Sequence, residues 1–174
     1  MTQQKHRILI LGASGFLGNS IYKELSSYFK TFGTYRTPKI EFEKNHHFFE
    51  YNFEEDDIFE LLSALKPTII ISALRGTFAS QLIAHKHLYD YLKDHKKVKI
   101  IFLSSANVFD AYSKYPSYES DTTLSNSIYG HFKIRIEQQF LKLPKRQVAI
   151  VRLPMVFGTQ SPRVNEIKIL HKVN

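Results

Sequence analysis

Short apolar runs alternate with longer amphipathic segments along most of the chain. The runs are rich in β-branched residues and have the length of strands, whereas the longer segments repeat their apolar residues at helical spacing. The strand candidates are RILILG, KTFGTYR, HHFFEYN, TIIISAL, VKIIFLSS and QVAIVRLP. The helix candidates between them are SGFLGNSIYKELSSY, DDIFELLSALK, FASQLIAHKHLYDYLKDH and SIYGHFKIRIEQQFLKL.

This alternation predicts an α/β protein with a Rossmann-like, doubly wound parallel sheet and helices on both faces. TIIISAL is apolar throughout, as expected for a strand that is buried on both sides. Two helices carry apolar stripes, predicted as Ile21, Leu25 and Tyr28 in the first and Leu82, Leu88 and Leu92 in the third. In such a sheet the carboxyl ends of the strands share one edge, where ligands bind.

Length and composition are those of a single globular domain with a substantial core. The 174 residues are 43% hydrophobic and contain no cysteine, which excludes disulfides and thiolate metal sites, and no metal site is predicted. The apolar runs are too short to span a bilayer and the N-terminus lacks the pattern of a signal peptide. We therefore expect a cytoplasmic protein with no membrane partner. The net charge of +8 comes from scattered lysines, so we expect no nucleic-acid partner either.

Three glycines stand between the first predicted strand and the first predicted helix. In LGASGFLG they are three residues apart. A dinucleotide-binding loop uses the first for a tight turn, the second for close approach of a pyrophosphate and the third for packing of the helix on the strand. The amides at the start of the helix also favour a phosphate. The predicted cofactor contacts from this loop are Gly12, Ser14, Gly15, Phe16, Leu17 and Gly18.

The end of the second strand indicates which dinucleotide is bound. An acidic residue there binds the ribose 2′-hydroxyl of NAD, whereas an arginine suits the 2′-phosphate of NADP. The chain reads GTYRTPK, with Arg36 at this position and Lys39 nearby. NADP is therefore the predicted cofactor, with NAD as the alternative. Asn52, after the third strand, is predicted either to contact the adenine or to begin the following turn.

Two motifs at the same sheet edge carry candidate catalytic groups. YGHFK places Tyr129 and Lys133 on one face of a helix. A phenol is a weak acid at neutral pH, and a nearby ammonium favours its ionised form. Lys133 could also hold the nicotinamide ribose. FLSSANVFD places Ser104 and Ser105 at the end of a buried strand, where a serine hydroxyl can bond to a substrate carbonyl.

Together with RLPMVFG, these motifs resemble an extended short-chain dehydrogenase/reductase over residues 7–158. VFDAYSKYPSYESD, YGHFK and Glu137 most resemble the dTDP-4-dehydrorhamnose reductase group of nucleotide-sugar enzymes. The resemblance implies that Ser105, Tyr129 and Lys133 are catalytic, with Ser104 assisting. It also implies hydride transfer from the nicotinamide to a sugar ketone, with Tyr129 supplying the proton.

The resemblance implies further contacts and also shows departures. The additional residues implied to lie beside the cofactor are Ala73, Leu74, Pro154 and Met155. SALRG differs at Ser72 and Leu74 from the usual Asn-Ala-Ala, and Ala106 stands where these reductases often have an acid. SSAN also lacks the Asp-Glu pair of 4,6-dehydratases, which argues against dehydration. The helices FASQLIAHKHLYDYL and SIYGHFKIRIEQQF resemble those of the family's dimer interface, so a homodimer is expected.

The predicted organisation is a cofactor-binding domain over residues 1–158 and a short remnant of a truncated C-terminal substrate lobe over 159–174, with VNEIKIL as its one helix. The last strand is expected to be an open sheet edge and a second route of association. Two functions remain open. One is an NADP-dependent reductase, or an epimerase, of nucleotide-linked deoxysugars with weak turnover by this chain alone. The other is a non-catalytic NADP-binding protein that regulates through a partner.

Overall fold

A computed structural model describes residues 6–112 and 115–158 of the chain. Its strands are β1 (Arg7–Leu11), β2 (Lys30–Tyr35), β3 (Phe48–Glu50), β4 (Ile69–Ser72), β5 (Lys99–Ser105) and β6 (Val148–Leu153). They form one six-stranded sheet in the order β3-β2-β1-β4-β5-β6, and every pair is parallel. The predicted Rossmann-like α/β fold is thereby confirmed. The predicted remnant lobe over 159–174, with VNEIKIL, lies outside the described residues.

Five α-helices connect the strands across the described ranges. They are α1 (Phe16–Ser26), α2 (Ile40–Glu43), α3 (Ile58–Leu65), α4 (Phe78–Asp94) and α5 (Ile128–Phe140). The side chains of Asp57, Thr77 and Ser127 cap α3, α4 and α5 by accepting a backbone N–H from the first turn. The sequence pattern did not predict α2, which is a single turn with one buried side chain, Phe42.

Helices cover both faces of the sheet, and each face has its own core. On β1, Leu9 and Leu11 pack with α3, α4 and α5, whereas Ile8 and Ile10 point to the face covered by α1 and α2. This alternation is the reason why successive residues are apolar in the middle of the central strands. The stripe of α4 is confirmed, because Leu88 and Leu92 are buried in the first of these cores and Leu82 packs against it.

The stripe predicted for α1 is wrong at its last residue. Ile21 and Leu25 pack against the core, but α1 ends at Ser26 and Tyr28 is 64% exposed. The backbone N–H groups of Tyr28 and Phe29 both donate to the Leu25 carbonyl, so the chain has already turned toward β2. Helical spacing therefore continues in the sequence beyond the point where the helix stops.

The two edge strands of the described sheet are β3 and β6. On β6, residues 149 and 151 are exposed, and association through this edge stays a prediction. Within residues 6–112 and 115–158, no helix has both the length and the apolar character needed to cross a membrane. The same ranges contain no cluster of histidine and carboxylate side chains arranged to hold a metal ion.

Candidate active site

The glycine loop joins β1 to α1 and lies against the ends of two neighbouring strands. Gly12 has a φ of +79°, and a Cβ there would lie 2.7 Å from the Ala73 carbonyl oxygen after β4. Only glycine satisfies both conditions without strain. The Gly12 N–H donates to Thr34 Oγ1 (2.9 Å) and the Ser14 N–H donates to the Thr34 carbonyl (3.2 Å), which fixes the loop on β2.

The other two glycines bring α1 close to this turn. A Cβ on Gly18 would lie 2.2 Å from the Gly12 carbonyl oxygen, so the first turn of α1 packs directly on the loop. Gly15 is the N-cap of α1, and it provides no side-chain acceptor for the amides of the first turn. Those amides and the positive end of the helix dipole lie at the sheet edge, where a phosphate would find donors.

A cavity of about 230 Å³ lies beside the loop at the end of β2. Arg36 and Lys39 line it together with Gly12, Ser14 and Gly15. Among residues near β3, Tyr51 and Phe53 are in its wall. Asn52 begins the following turn, which is one of its two predicted roles: its Oδ1 accepts the Glu54 N–H and its N–H donates to Asp56. Its contact with the adenine stays a prediction.

A larger cavity of about 440 Å³ adjoins the first along the carboxyl edge of the sheet. Residues from both ends of the chain meet in its wall. The predicted residues that line it are Gly15, Phe16, Leu17, Gly18, Ala73, Leu74, Ser104, Ser105, Tyr129, Lys133, Pro154 and Met155. The structure thus brings the glycine loop and the three candidate catalytic side chains to one space.

Lys133 is 6% exposed, and its ammonium group lies among the aromatic rings of Phe102 and Phe132. Its Nζ donates to the Leu103 carbonyl oxygen (3.1 Å) and lies 5.7 Å from the centre of the Tyr129 ring. Burial lowers the pKa of Lys133 to about 8, and the negative charge of Glu137 opposes this shift. Tyr129 is 40% exposed at the mouth of the cavity.

The two serines at the end of β5 are held by different partners. The Ser105 hydroxyl donates to Asn107 Oδ1 (2.8 Å), and the Asn107 N–H donates back to Ser105 Oγ (3.2 Å). The Ser104 hydroxyl donates instead to Oε1 of the buried Glu137 (2.5 Å). Ser105 is therefore oriented from within the cavity, whereas the Ser104 side chain is engaged by the helix behind it.

Several residues of the cavity walls were missed by the sequence analysis. In the larger cavity they are Arg75, Gly76, Phe78, Gln81, Leu103, Asn107, Leu153 and Val156. The spacing of SSAN could have indicated Asn107, because a side chain two residues after a strand-end serine can turn back to its hydroxyl. No comparable signal marks the others. The charged residues that line the two cavities are Arg36, Lys39, Arg75 and Lys133, and no carboxylate of the described chain is among the lining residues.

A family model described as the NAD dependent epimerase/dehydratase family matches residues 8–173. A comparison with curated protein sequences finds no significant match. Among solved structures, the dTDP-glucose 4,6-dehydratase of Bacillus anthracis in complex with NAD is similar, with a TM-score of 0.79 and 15% identity. That alignment covers 97% of this chain and 61% of the dehydratase.

Two other solved structures are similar in the same way. The dTDP-4-dehydrorhamnose reductase of Bacillus anthracis in complex with NADP has a TM-score of 0.73 and 19% identity, covering 100% of this chain and 62% of the reductase. A UDP-galactose 4-epimerase has a TM-score of 0.75 and 16% identity, covering 97% of this chain and 63% of the epimerase. At these identities the likeness shows the shared fold, and the chain spans less than two thirds of each neighbour's length.

Proposed function

The chain belongs to the NAD dependent epimerase/dehydratase family, and on this basis we propose that it binds NADP and reduces a keto group of a nucleotide-linked deoxysugar. The observation that carries the proposal is the cavity of about 440 Å³, which the glycine loop lines on one side and Ser105, Tyr129 and Lys133 line on another. A cofactor held by the loop and a substrate held by these side chains would meet in this space.

The charges of the site favour NADP over NAD. Arg36 and Lys39 line the smaller cavity at the end of β2, and no carboxylate of residues 6–112 and 115–158 lines it to accept a ribose 2′-hydroxyl. An arginine at this position suits a 2′-phosphate. The glycine loop suits a pyrophosphate, because Gly15 caps α1 without a side-chain acceptor and leaves the amides of the first turn available to a phosphate. When bound, the nicotinamide would supply the hydride chemistry.

The side chains around the larger cavity can provide the proton and the orientation that such a reduction needs. The Tyr129 hydroxyl is the group that would give a proton to the substrate oxygen, and the ammonium of Lys133 would stabilise the phenolate left behind. Lys133 is held for this by the Leu103 carbonyl. The Ser105 hydroxyl, oriented by Asn107, would bond to the same substrate oxygen.

The first experiment is a titration of the chain with NADPH and with NADH, followed by the fluorescence of the reduced nicotinamide. We expect NADPH to bind at least about ten-fold more tightly, and Arg36→Ala to remove this preference without weakening NADH. Arg135→Ala is the matched control, because Arg135 is exposed on α5 and lines neither cavity. Failure to bind either dinucleotide would overturn the proposal.

A second candidate is a non-catalytic NADP-binding protein. One observation favours it: within the described residues, no hydrogen bond joins Tyr129 to Ser105 or to Lys133. Tyr129→Phe separates the two functions once a keto sugar nucleotide is offered with NADPH. Lost turnover with unchanged NADPH affinity supports the reductase, and equal rates with and without the hydroxyl support the binder. Epimerisation would be recognised by a changed sugar without net oxidation of NADPH.

We also propose a homodimer through α4 and α5. Both helices carry exposed apolar side chains, including Ile83 (56% exposed) on α4 and Ile128 (78% exposed) on α5. Such residues become buried when helix faces of this kind associate. Sedimentation equilibrium of the chain and of an Ile83→Glu variant would test this, since the charge should favour the monomer.

A further inference from the structure

The two cavities of the site share one stretch of wall, and this stretch includes the positively charged residue Arg75. The residues common to both linings are Gly15, Ala73, Leu74 and Arg75. Arg75 is the charged residue among them, whereas Arg36 and Lys39 line the smaller cavity and Lys133 lines the larger. A ligand that extends from one cavity into the other therefore passes Arg75.

The backbone on either side of Arg75 is fixed by close contacts. Before it, the Ala73 carbonyl and Leu74 Cα lie against Gly12, so closely that a Cβ on Gly12 would be 2.7 Å and 3.3 Å from them. After it, Gly76 packs on the ring of Phe53, and its carbonyl accepts a hydrogen bond from Gln81 Nε2 (2.9 Å). This strand-end loop, residues 73–76, is thus anchored to the glycine loop, to the β3 side and to α4.

The side chain of Arg75 has no such anchor among the residues that the structure describes. It is exposed, and no carboxylate of the described chain forms an ion pair with it. A guanidinium presents a planar set of N–H donors that matches the oxygens of a phosphate, often through two parallel hydrogen bonds. A fixed backbone with a free guanidinium at the boundary of two cavities is the arrangement expected of an anion contact.

We propose that Arg75 binds the diphosphate that links the two halves of the dinucleotide. The inference rests on the proposed function, in which the adenosine half occupies the smaller cavity and the nicotinamide half the larger. Two nucleotides held in this way place their linking diphosphate at the shared wall, between Gly15 and Arg75. Arg75 is then a cofactor-binding residue that serves NADP and NAD alike, whereas Arg36 distinguishes between them.

The test compares ligands that have the diphosphate with one that lacks it. Arg75→Ala is expected to weaken NADPH and NADH by the same factor, about 10- to 100-fold, as for the loss of a charge-assisted hydrogen bond. Binding of adenosine 2′-monophosphate, which has no diphosphate, should change less than about two-fold. Arg75→Lys should recover part of the affinity, because it restores the charge without the paired donors.

Three results would overturn the inference. Arg75→Ala could leave both dinucleotides bound as tightly as before, or weaken only NADPH, which would assign Arg75 to the 2′-phosphate. The third result is equal losses in Arg75→Ala and in the surface control Arg135→Ala, which would indicate a general effect of net charge. If the unaltered chain binds neither dinucleotide, the proposed function itself fails. If the unaltered chain binds both dinucleotides and Arg75→Ala binds them as tightly, only the inference about Arg75 fails.

Discussion

Arg152 on β6 forms a buried ion pair with Glu137 on α5, with Nη2 2.8 Å from Oε2. The same carboxylate accepts the Ser104 hydroxyl of β5, and Arg152 Nη1 donates to the Glu119 carbonyl (3.0 Å). Glu137 is 1% exposed. This arrangement joins the last two strands to the helix that carries Tyr129 and Lys133, so the position of both candidate catalytic side chains depends on it.

Glu137→Gln is expected to destabilise the fold by about 2–4 kcal/mol. The amide can still accept from Ser104, but it leaves the guanidinium of Arg152 without its counter-charge in a largely buried place. Urea unfolding at neutral pH measures the change. The matched control is Asp90→Asn in the exposed Lys86–Asp90 pair on α4, which should cost less than about 1 kcal/mol. Equal losses in the two variants would show that the buried pair has no special weight.

The buried lysine makes stability depend on alkaline pH. Because burial lowers the pKa of Lys133 from 10.5 to about 8, the unfolded chain binds more protons than the folded one between these values. The free energy of unfolding therefore rises with pH across this window. Relative to Lys133→Met, the unaltered chain should gain about 2 kcal/mol between pH 7.5 and 9.5. Parallel pH profiles for the two proteins would contradict the lowered pKa.

The sequence predicted most of the fold because each long element contributes several buried contacts at a regular spacing. β1, β4 and β5 were visible as apolar runs, and their order along the sheet follows from right-handed crossovers. The helix α2 was not visible, since one turn with a single buried ring has no measurable period. The prediction that Tyr28 belongs to the buried stripe of α1 was wrong, because the apolar spacing in the sequence continues past the residue where the helix ends.

Site residues could be predicted where they belong to a motif within one continuous segment. They were harder to predict where their position depends on contacts between loops that are distant in sequence. The glycine loop and the pair Tyr129 and Lys133 each belong to a single local pattern. The place of Arg75 between two cavities depends instead on how residues 73–76 pack against Gly12 and Phe53. No sequence periodicity indicates that contact, so Arg75 was not predicted as a site residue.

The glycines of the cofactor loop should differ sharply in their tolerance of alanine. At Gly18 the new Cβ would lie 2.2 Å from the Gly12 carbonyl oxygen, and both partners are backbone, so α1 must shift. We expect Gly18→Ala to lower the free energy of unfolding by about 2–3 kcal/mol. At Gly15 the nearest atom is 3.3 Å away and φ is −79°, so Gly15→Ala should cost less than about 1 kcal/mol. Urea unfolding of both variants checks the order, and a reversed order would contradict the packing described for α1.

His85 should make the fold sensitive to acid. This buried ring donates from Nδ1 to the Gln81 carbonyl, a bond that both protonation states can make. In the neutral form Nε2 then accepts the Ser72 hydroxyl (2.8 Å), and this second bond is the one that requires the neutral ring. Burial lowers the pKa of His85 from 6.5 to about 4, with the Lys133 charge adding to the shift and the Gln81 bond opposing it. The unfolded chain therefore binds more protons between pH 6.5 and 4, and stability is lost as the pH falls through that window.

The loss attributable to His85 should be about 2 kcal/mol between pH 7 and 4.5. Comparison with His85→Gln isolates this loss, because glutamine cannot take up the proton. The unfolding free energy of the variant should therefore fall less over the same pH range. His87→Gln on the same helix is the matched control, since His87 is partly exposed and donates to no buried partner among the described residues. An acid profile that is unchanged in His85→Gln would mean that folding does not lower the pKa of this ring.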